Sequence, residues 1–308
     1  PGHLMNPMGL EIEGIGFAYR KGDPVLRGVS CVFPSGELTA LLGNNGSGKT
    51  TLLKILVGIQ PPDSGSVRFE GKPVFNGNRS GYQQQVGFMP ESLLLYPEMR
   101  AGAALAFLAR LKRVDSSEVA GALRKVGLEA HATQKIGNFS KGMKQRLNLA
   151  QAILGEPRVV VLDEPSNGFD LDGVGIFYET VRELLERGVV VVLSSHLFSE
   201  IQGRVDRVAL LAGGEVLKQG RIDDLLDDLG GRTKAVWLHF EQPVNESECA
   251  ALCAISPGLK RVGESSLAGE MDGKMVARVL SAATSRNLRL RNIRIEGNEL
   301  AKLMGMPR

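Results

Sequence analysis

The stretch Gly43-Asn44-Asn45-Gly46-Ser47-Gly48-Lys49-Thr50 fits the phosphate-binding pattern G-x-x-x-x-G-K followed by Ser or Thr. Residues 38–42 before it have the composition of a buried strand, and residues 51–57 after it favour a helix. Glycines in this setting let successive backbone N–H groups face phosphate oxygens at a helix N-terminus. We predict that Lys49 reaches the β- and γ-phosphates and that the Thr50 hydroxyl ligates Mg²⁺. The sequence therefore predicts binding of a nucleoside triphosphate.

Length and composition narrow the classes of protein that need to be considered. The chain has 308 residues, which is enough for one large domain and one small domain. A net charge of +3 is too small to indicate a nucleic-acid partner. The strongest candidate for a membrane span, the apolar run of residues 101–111, is too short to cross a membrane and is followed by Lys112-Arg113. We expect no transmembrane segment and no secretion signal, and hence a cytoplasmic location.

The three cysteines predict no disulfide framework. Cys31 stands alone, while Cys249 and Cys253 have the spacing that places two side chains on one helix face. Two thiols alone make a poor metal site, so the favoured interpretation is that they are buried apolar residues.

Hydrophobic periodicity predicts an α/β chain with an antiparallel part and a helical part. The predicted strands are 10–15, 38–42, 66–70, 86–89, 159–162, 189–193, 205–211, 215–217, 235–240 and 288–295. The predicted helices are 51–57, 100–114, 117–126 with a serine cap, 142–154, 172–187, 275–286 and 299–304. Residues 76–85 are polar and are predicted to form a loop. Two buried runs separated by a helix, 159–162 and 189–193, favour parallel strands.

Two acidic residues follow the buried run 159–162. Asp163 and Glu164 stand at the carboxyl end of this predicted strand, where ligands bind in parallel α/β sheets. Asp163 is suited to hold magnesium, and Glu164 to orient or deprotonate an attacking water molecule.

Besides the phosphate-binding loop, the sequence contains a second candidate anion site. It is the turn of Ser140 and Gly142, which opens the helix predicted over 142–154.

These motifs together resemble the ATP-binding cassette (ABC) ATPases. The signature sequence of that family, usually Leu-Ser-Gly-Gly-Gln, corresponds to Phe139-Ser140-Lys141-Gly142-Met143, which we term the signature turn. The resemblance covers about residues 9–230. It implies a P-loop NTPase core of ABC type with an antiparallel β-subdomain and a helical subdomain at about 91–155. Beyond Gly230-Gly231, residues 231–308 are predicted to form a small α+β accessory domain without a chemical motif.

The resemblance also implies roles for further residues. Tyr19 would stack on adenine, although as a lone aromatic residue it could equally belong to the core. His196 would contact the γ-phosphate, and Asp170 would lie in the loop that crosses between subunits. ATP would also be contacted by residues 43–50 of the phosphate-binding loop. Four further residues would contact it as well, namely Thr51, Ser140, Gly142 and Asp170. Glu91 stands where the family has a glutamine that touches magnesium, and a carboxylate there puts metal coordination by this residue in doubt.

The family implies a head-to-tail homodimer in which Lys49 and Thr50 of one copy face Ser140 and Gly142 of the other. ATP binding would close the dimer, and a separate membrane permease would convert that cycle into transport. The cassette would then lie on the inner face of the membrane. Within the family, the chain resembles the ATPases of type-2 exporters. It also resembles the NosF ATPases of copper-site maturation in nitrous oxide reductase.

Other classes fit the sequence less well. A DNA-repair ABC ATPase would carry a long coiled coil between Lys49 and Ser140, but only about ninety residues separate them. A translation-associated ABC protein would normally have two cassettes, and a GTP switch protein needs an Asn-Lys-x-Asp motif. A nucleotide-sensing module with little hydrolysis stays open, because Glu91 and the altered signature turn favour it while Glu164 and His196 favour hydrolysis.

Overall fold

The computed structural model describes residues 9–93, 95–197, 201, 203–228, 234–271 and 273–296. The chain divides into two compact units, Pro1–Arg221 and Ile222–Arg308. The predicted boundary at Gly230-Gly231 and the predicted helix 299–304 lie outside the described residues. The domain limits 9–230 and 231–308 therefore stay a prediction.

A mainly parallel sheet forms the centre of the first unit. Its strands are β3 (Leu38–Leu42), β6 (Val86–Met89), β7 (Val159–Leu162), β8 (Val190–Ser195), β9 (Arg207–Ala212) and β10 (Glu215–Arg221). They lie in the order β10-β9-β3-β8-β7-β6, and all neighbours are parallel except β10 and β9. Strands β3, β7 and β8 are buried throughout, as their apolar runs predict. Because these strands are parallel, their carboxyl ends meet at one edge of the sheet.

Two helices follow these carboxyl ends. Helix α1 (Lys49–Leu56) comes after β3, and helix α6 (Leu171–Glu186) connects β7 to its parallel neighbour β8. This arrangement confirms the parallel pairing that the sequence predicts for the two buried runs. It also brings the loops after β3 and β7 to the same end of the sheet.

An antiparallel sheet packs on the same core. It contains β1 (Gly9–Arg20), β2 (Asp23–Pro34), β4 (Ser64–Phe69) and β5 (Lys72–Pro73), in the order β2-β1-β4-β5. Phe33 of β2, Leu53 of α1 and Val161 of β7 belong to one buried apolar cluster. The predicted antiparallel subdomain is therefore confirmed, and it shares its core with the central sheet.

The polar stretch 76–85 contains a short helix, α2 (Arg79–Gln84), so the prediction of a loop was wrong. Tyr82 is only 1% exposed, and its hydroxyl donates a hydrogen bond to the carbonyl of Leu56 at 2.6 Å. Arg79 donates to the carbonyls of Gly58 and Ile59. These contacts with the end of α1 stabilise a six-residue helix that composition alone does not favour.

A helical insert lies between β6 and β7. It contains α3 (Ala101–Lys112), α4 (Glu118–Lys125) and α5 (Lys141–Ile153), close to the predicted ranges. The predicted serine cap of α4 was wrong, because the Ser117 side chain makes no capping hydrogen bond. The Asp115 carboxylate instead accepts a hydrogen bond from the backbone N–H of Ser117 at 2.8 Å.

The second unit is an α+β module with its own core. Its elements are α7 (Ile222–Asp228), β11 (Lys234–Phe240), α8 (Glu246–Ile255), β12 (Lys260–Gly263), β13 (Ser266–Met271), α9 (Gly273–Thr284) and β14 (Leu290–Glu296). The antiparallel sheet order is β12-β13-β11-β14. Cys249 and Cys253 share a face of α8 with their Sγ atoms 3.9 Å apart, but both are half-buried rather than buried. Among the described residues, no helix has the length and apolar character needed to cross a membrane.

Candidate nucleotide-binding site

The glycine-rich loop joins β3 to α1 in a conformation that needs its glycines. Gly48, which precedes the first residue of α1, has a φ of 102°. A Cβ atom there would lie 2.8 Å from Leu26 Cδ2, and one at Gly43 would lie 2.2 Å from the carbonyl oxygen of Leu211. The loop is thus packed closely against β2 and β9, and it leads directly into the N-terminus of α1.

Lys49 occupies the centre of this loop. Its side chain is 7% exposed, and Nζ donates hydrogen bonds to the carbonyls of Gly43 at 2.6 Å and Asn44 at 3.3 Å. Nζ also lies 3.7 Å from Glu164 Oε1. The hydroxyl of Ser47 is buried and lacks a hydrogen-bond partner within the described residues. A buried ammonium, a partnerless hydroxyl and a helix N-terminus are a donor set that fits phosphate.

Thr50 and Asp163 meet beside the loop. Thr50 Oγ1 donates a hydrogen bond to Asp163 Oδ2 at 3.2 Å, and Ser194 Oγ donates to Asp163 Oδ1 at 2.7 Å. Ser194 also accepts the backbone N–H of Glu164 at 2.8 Å. A hydroxyl and a carboxylate that is oriented by a neighbouring strand are ligands suited to Mg²⁺. Sequence reasoning missed this function of Ser194, which only the pairing of β7 with β8 reveals.

Glu164 is buried at the end of β7 and has a φ of 47°. Its Oε2 lies 2.8 Å from Nδ1 of His196, which follows β8. The predicted catalytic residues Lys49, Glu164 and His196 are therefore in contact. Such a carboxylate could orient or deprotonate a water molecule beside a bound phosphate.

These groups open into a cleft of about 320 Å³, which we term the nucleotide cleft. It is lined by Val25, Asn45, Gly46, Gly48, Lys49, Thr50, Thr51, Glu91, Glu164, Asn167 and His196. Val25 and Asn167 were not predicted, although Asn167 lies in the same short loop as the predicted Asp170. The structure thus places Glu91 in the lining of the same cleft as Lys49 and Thr50.

Tyr19 stands on the surface beside this region. It is 59% exposed, which rules out the alternative that it is a core residue. Its hydroxyl lies 3.2 Å from Thr51 Oγ1, and its ring meets Phe17 edge-on with centroids 4.9 Å apart. An exposed ring next to the start of α1 remains available for the predicted stacking.

Ser140, Gly142 and Asp170 lie together elsewhere. Ser140 is exposed and caps α5 by accepting the N–H of Met143 at 3.1 Å. Asp170 caps α6, and a Cβ atom on Gly142 would lie 3.0 Å from its Oδ2. None of the three is among the described residues that line the nucleotide cleft of the same chain. The two predicted anion sites, the phosphate-binding loop and the signature turn, are thus separate within one subunit.

Comparison with known proteins identifies the family. Residues 26–167 match the family model described as ABC transporter. A linearmycin resistance ATP-binding protein of Bacillus subtilis is 30% identical over 304 residues, covering 96% of both chains. A Nod factor export ATP-binding protein of Burkholderia lata is 36% identical and covers 68% of this chain and 70% of its own.

Solved structures show the same relationship. A structure described as the ATP-binding subunit of an ABC transporter superposes with a TM-score of 0.67 at 29% identity, covering 72% of this chain and 94% of the other. The dimeric ABC transporter cassette MJ0796 has a TM-score of 0.63 at 21% identity, covering 69% and 98%, and shows the fold alone. This chain belongs to the ABC transporter ATP-binding proteins, which are the ATPases of ABC transport systems.

Proposed function

We propose that this chain hydrolyses MgATP as a head-to-tail homodimer and thereby drives a separate membrane permease. One observation supports this proposal above all. The nucleotide cleft contains Lys49, Thr50 and Glu164, whereas the exposed Ser140 lies outside it. A second copy in a two-fold dimer would supply Ser140 and Gly142 across the nucleotide.

Each residue of the cleft then has a distinct role. Lys49 neutralises the β- and γ-phosphates, for which it exchanges its present contacts with loop carbonyls. Thr50 and Asp163 would hold Mg²⁺, which when bound offsets the charge on the phosphates. Glu91 lines the same cleft, so we include it as a further candidate metal ligand. Tyr19 would stack on adenine.

Glu164 would act on the attacking water. Its carboxylate is buried between Lys49 and His196, so its direction is set before substrate arrives. His196 positions this carboxylate and lines the same cleft, where it would contact the γ-phosphate. A hydrolytic arrangement of this kind favours an ATPase over a nucleotide-sensing module.

We infer that the transport system works in the direction of export, with the chain held at the inner membrane face by its permease. The names of the two relatives mention linearmycin resistance and Nod factor export, and neither mentions copper. Export is therefore better supported than the NosF-like role in copper-site maturation that the sequence also suggests.

The composite site can be tested by mixing inactive variants. Lys49→Met removes the side chain that binds the phosphates. Ser140→Asp keeps a good helix cap but introduces a negative charge that would repel the phosphates of the nucleotide. Each protein alone should be inactive. Random pairing in a mixture gives half heterodimers with one intact site each, so about a quarter of the wild-type ATPase rate should return.

A matched control uses two lesions on the same side of the site. Lys49→Met mixed with Glu164→Gln creates no intact site in any dimer and should stay inactive. Failure of the Lys49→Met and Ser140→Asp mixture to recover would reject the composite site and with it the proposed dimer.

A further inference from the structure

Helix α5 carries two buried amide side chains beyond the signature turn. Gln145 is 5% exposed and Asn148 is 0% exposed. A buried amide without partners destabilises a folded protein, so native structures provide hydrogen bonds for such groups. The partners of these two amides show what they connect.

Asn148 reaches the segment before Glu91. Its Nδ2 donates a hydrogen bond to the carbonyl of Pro90 at 2.6 Å and lies 3.4 Å from Gln145 Oε1. Its Oδ1 accepts a hydrogen bond from Gln151 at 2.6 Å. Pro90 immediately precedes Glu91, which lines the nucleotide cleft. Asn148 is therefore bonded to the backbone of a loop that borders the nucleotide cleft.

Gln145 reaches a second loop of the same cleft. Its Nε2 donates a hydrogen bond to the carbonyl of Asn167 at 2.9 Å, and Asn167 also lines the cleft. A buried polar group that serves only its own helix behaves differently. Thr180, for example, donates to the carbonyl of Ile176 one turn earlier in α6. The two amides of α5 instead link one helix to two loops that end neighbouring strands.

We propose that Asn148, together with Gln145, is a positioning residue that sets the direction of α5 relative to the nucleotide cleft and so places Ser140 for the partner's nucleotide. This inference rests on the proposed composite site. Asn148 lies eight residues beyond Ser140, or about 12 Å along a helix. A tilt of about 5° about this anchor would move Ser140 by about 1 Å, a displacement that can cost about 100-fold in rate.

The variant Asn148→Leu tests the hydrogen bond without opening a cavity. Leucine has nearly the shape of asparagine but no donor, so the carbonyl of Pro90 loses its partner. Thr180→Val is the matched control, because it also removes a buried hydrogen bond but leaves α5 and the cleft untouched. We expect the ATPase rate of Asn148→Leu to fall by about 10- to 100-fold and that of Thr180→Val to stay near wild type.

Mixing assigns the defect to one side of the site. If Asn148 acts through the signature turn, its own phosphate loop remains competent. Asn148→Leu mixed with Lys49→Met should then recover about a quarter of the wild-type rate, as Ser140→Asp does. Asn148→Leu mixed with Ser140→Asp should not recover, because both lesions affect the same side. A merely structural lesion would recover in neither mixture.

Two results would overturn this inference while leaving the composite site intact. The first is a wild-type ATPase rate in Asn148→Leu. The second is a mixture of Lys49→Met with Ser140→Asp that recovers activity while a mixture of Lys49→Met with Asn148→Leu does not. The latter would mean that Asn148 acts on its own cleft or on folding. If Ser140→Asp itself fails to recover, the composite site is rejected and this inference falls with it.

Discussion

The carboxylate of Glu164 lies 2.8 Å from Nδ1 of His196, across the ends of two adjacent parallel strands. The other carboxylate oxygen lies 3.7 Å from Lys49 Nζ. Glu164 is thus held from two sides, although its φ of 47° is unusual for a residue other than glycine. The pairing of β7 with β8 therefore holds the Glu164 carboxylate beside Lys49 of the phosphate loop.

Replacing this carboxylate by an amide should separate binding from hydrolysis. Glu164→Gln keeps the side-chain shape but loses the negative charge that polarises water. We expect ATP binding to survive while hydrolysis falls by about 10²- to 10⁴-fold, the usual range for a positioned general base. The variant should accumulate as a dimer with Mg-ATP, which size-exclusion chromatography with light scattering can detect. Wild-type turnover would instead make Glu91 or His196 the residue to test.

Tyr19 allows the contribution of a ring to be separated from that of a hydroxyl. Tyr19→Ala should weaken ATP binding by about 1–3 kcal/mol, in line with base–aromatic stacking. Tyr19→Phe loses the contact with Thr51 but keeps the ring, so it should bind ATP nearly as well as wild type. Equal affinities in all three proteins, measured by calorimetry, would show that Tyr19 has no part in nucleotide binding.

Because the chain forms two compact units, we predict that the nucleotide site is independent of the C-terminal module. A chain truncated after Leu229 retains the whole apolar cluster that includes Phe33 and Val161. It should therefore fold and bind Mg-ATP with an affinity close to that of the full chain. A folded truncated protein, verified by circular dichroism, that did not bind nucleotide would show that residues 230–308 contribute to the site.

Lys112 predicts a pH-dependent stability. Burial lowers the pKa of Lys112 from 10.5 to about 8, although its Nζ donates to the carbonyl of Leu154 at 3.0 Å. Between these two pKa values the unfolded chain binds more protons than the folded one, so this residue makes the free energy of unfolding rise with pH. Below about pH 8 both states are protonated and the full cost of burying the charge remains.

The variant Lys112→Met removes this titration while keeping a long side chain. Relative to it, the wild-type free energy of unfolding should increase by about 2 kcal/mol between pH 7 and pH 9.5. Urea unfolding of both proteins at the two pH values measures this difference, and titration of other groups largely cancels in the comparison. A constant difference would show that the ammonium group stays hydrated in the folded state.

Local patterns in the sequence determined much of this protein. The phosphate-binding pattern consists of consecutive residues whose glycines set the backbone, so roles for Gly43, Lys49 and Thr50 could be predicted without a structure. The buried strands β3, β7 and β8 were predictable because their apolar runs have no polar face. Asp163 and Glu164 followed from them, since residues after a parallel strand share its carboxyl edge.

Only the tertiary structure decided which distant groups meet. Tyr82 turns a polar stretch into helix α2 by bonding to Leu56, and Ser194 reaches Asp163 because β8 lies beside β7. Asn148 likewise finds the carbonyl of Pro90, 58 residues away. Periodicity reports how one segment is buried but not its partner, because hydrogen bonds between segments depend on strand order and packing. The tertiary structure likewise decides that Ser140 is not among the described residues that line the nucleotide cleft of its own chain.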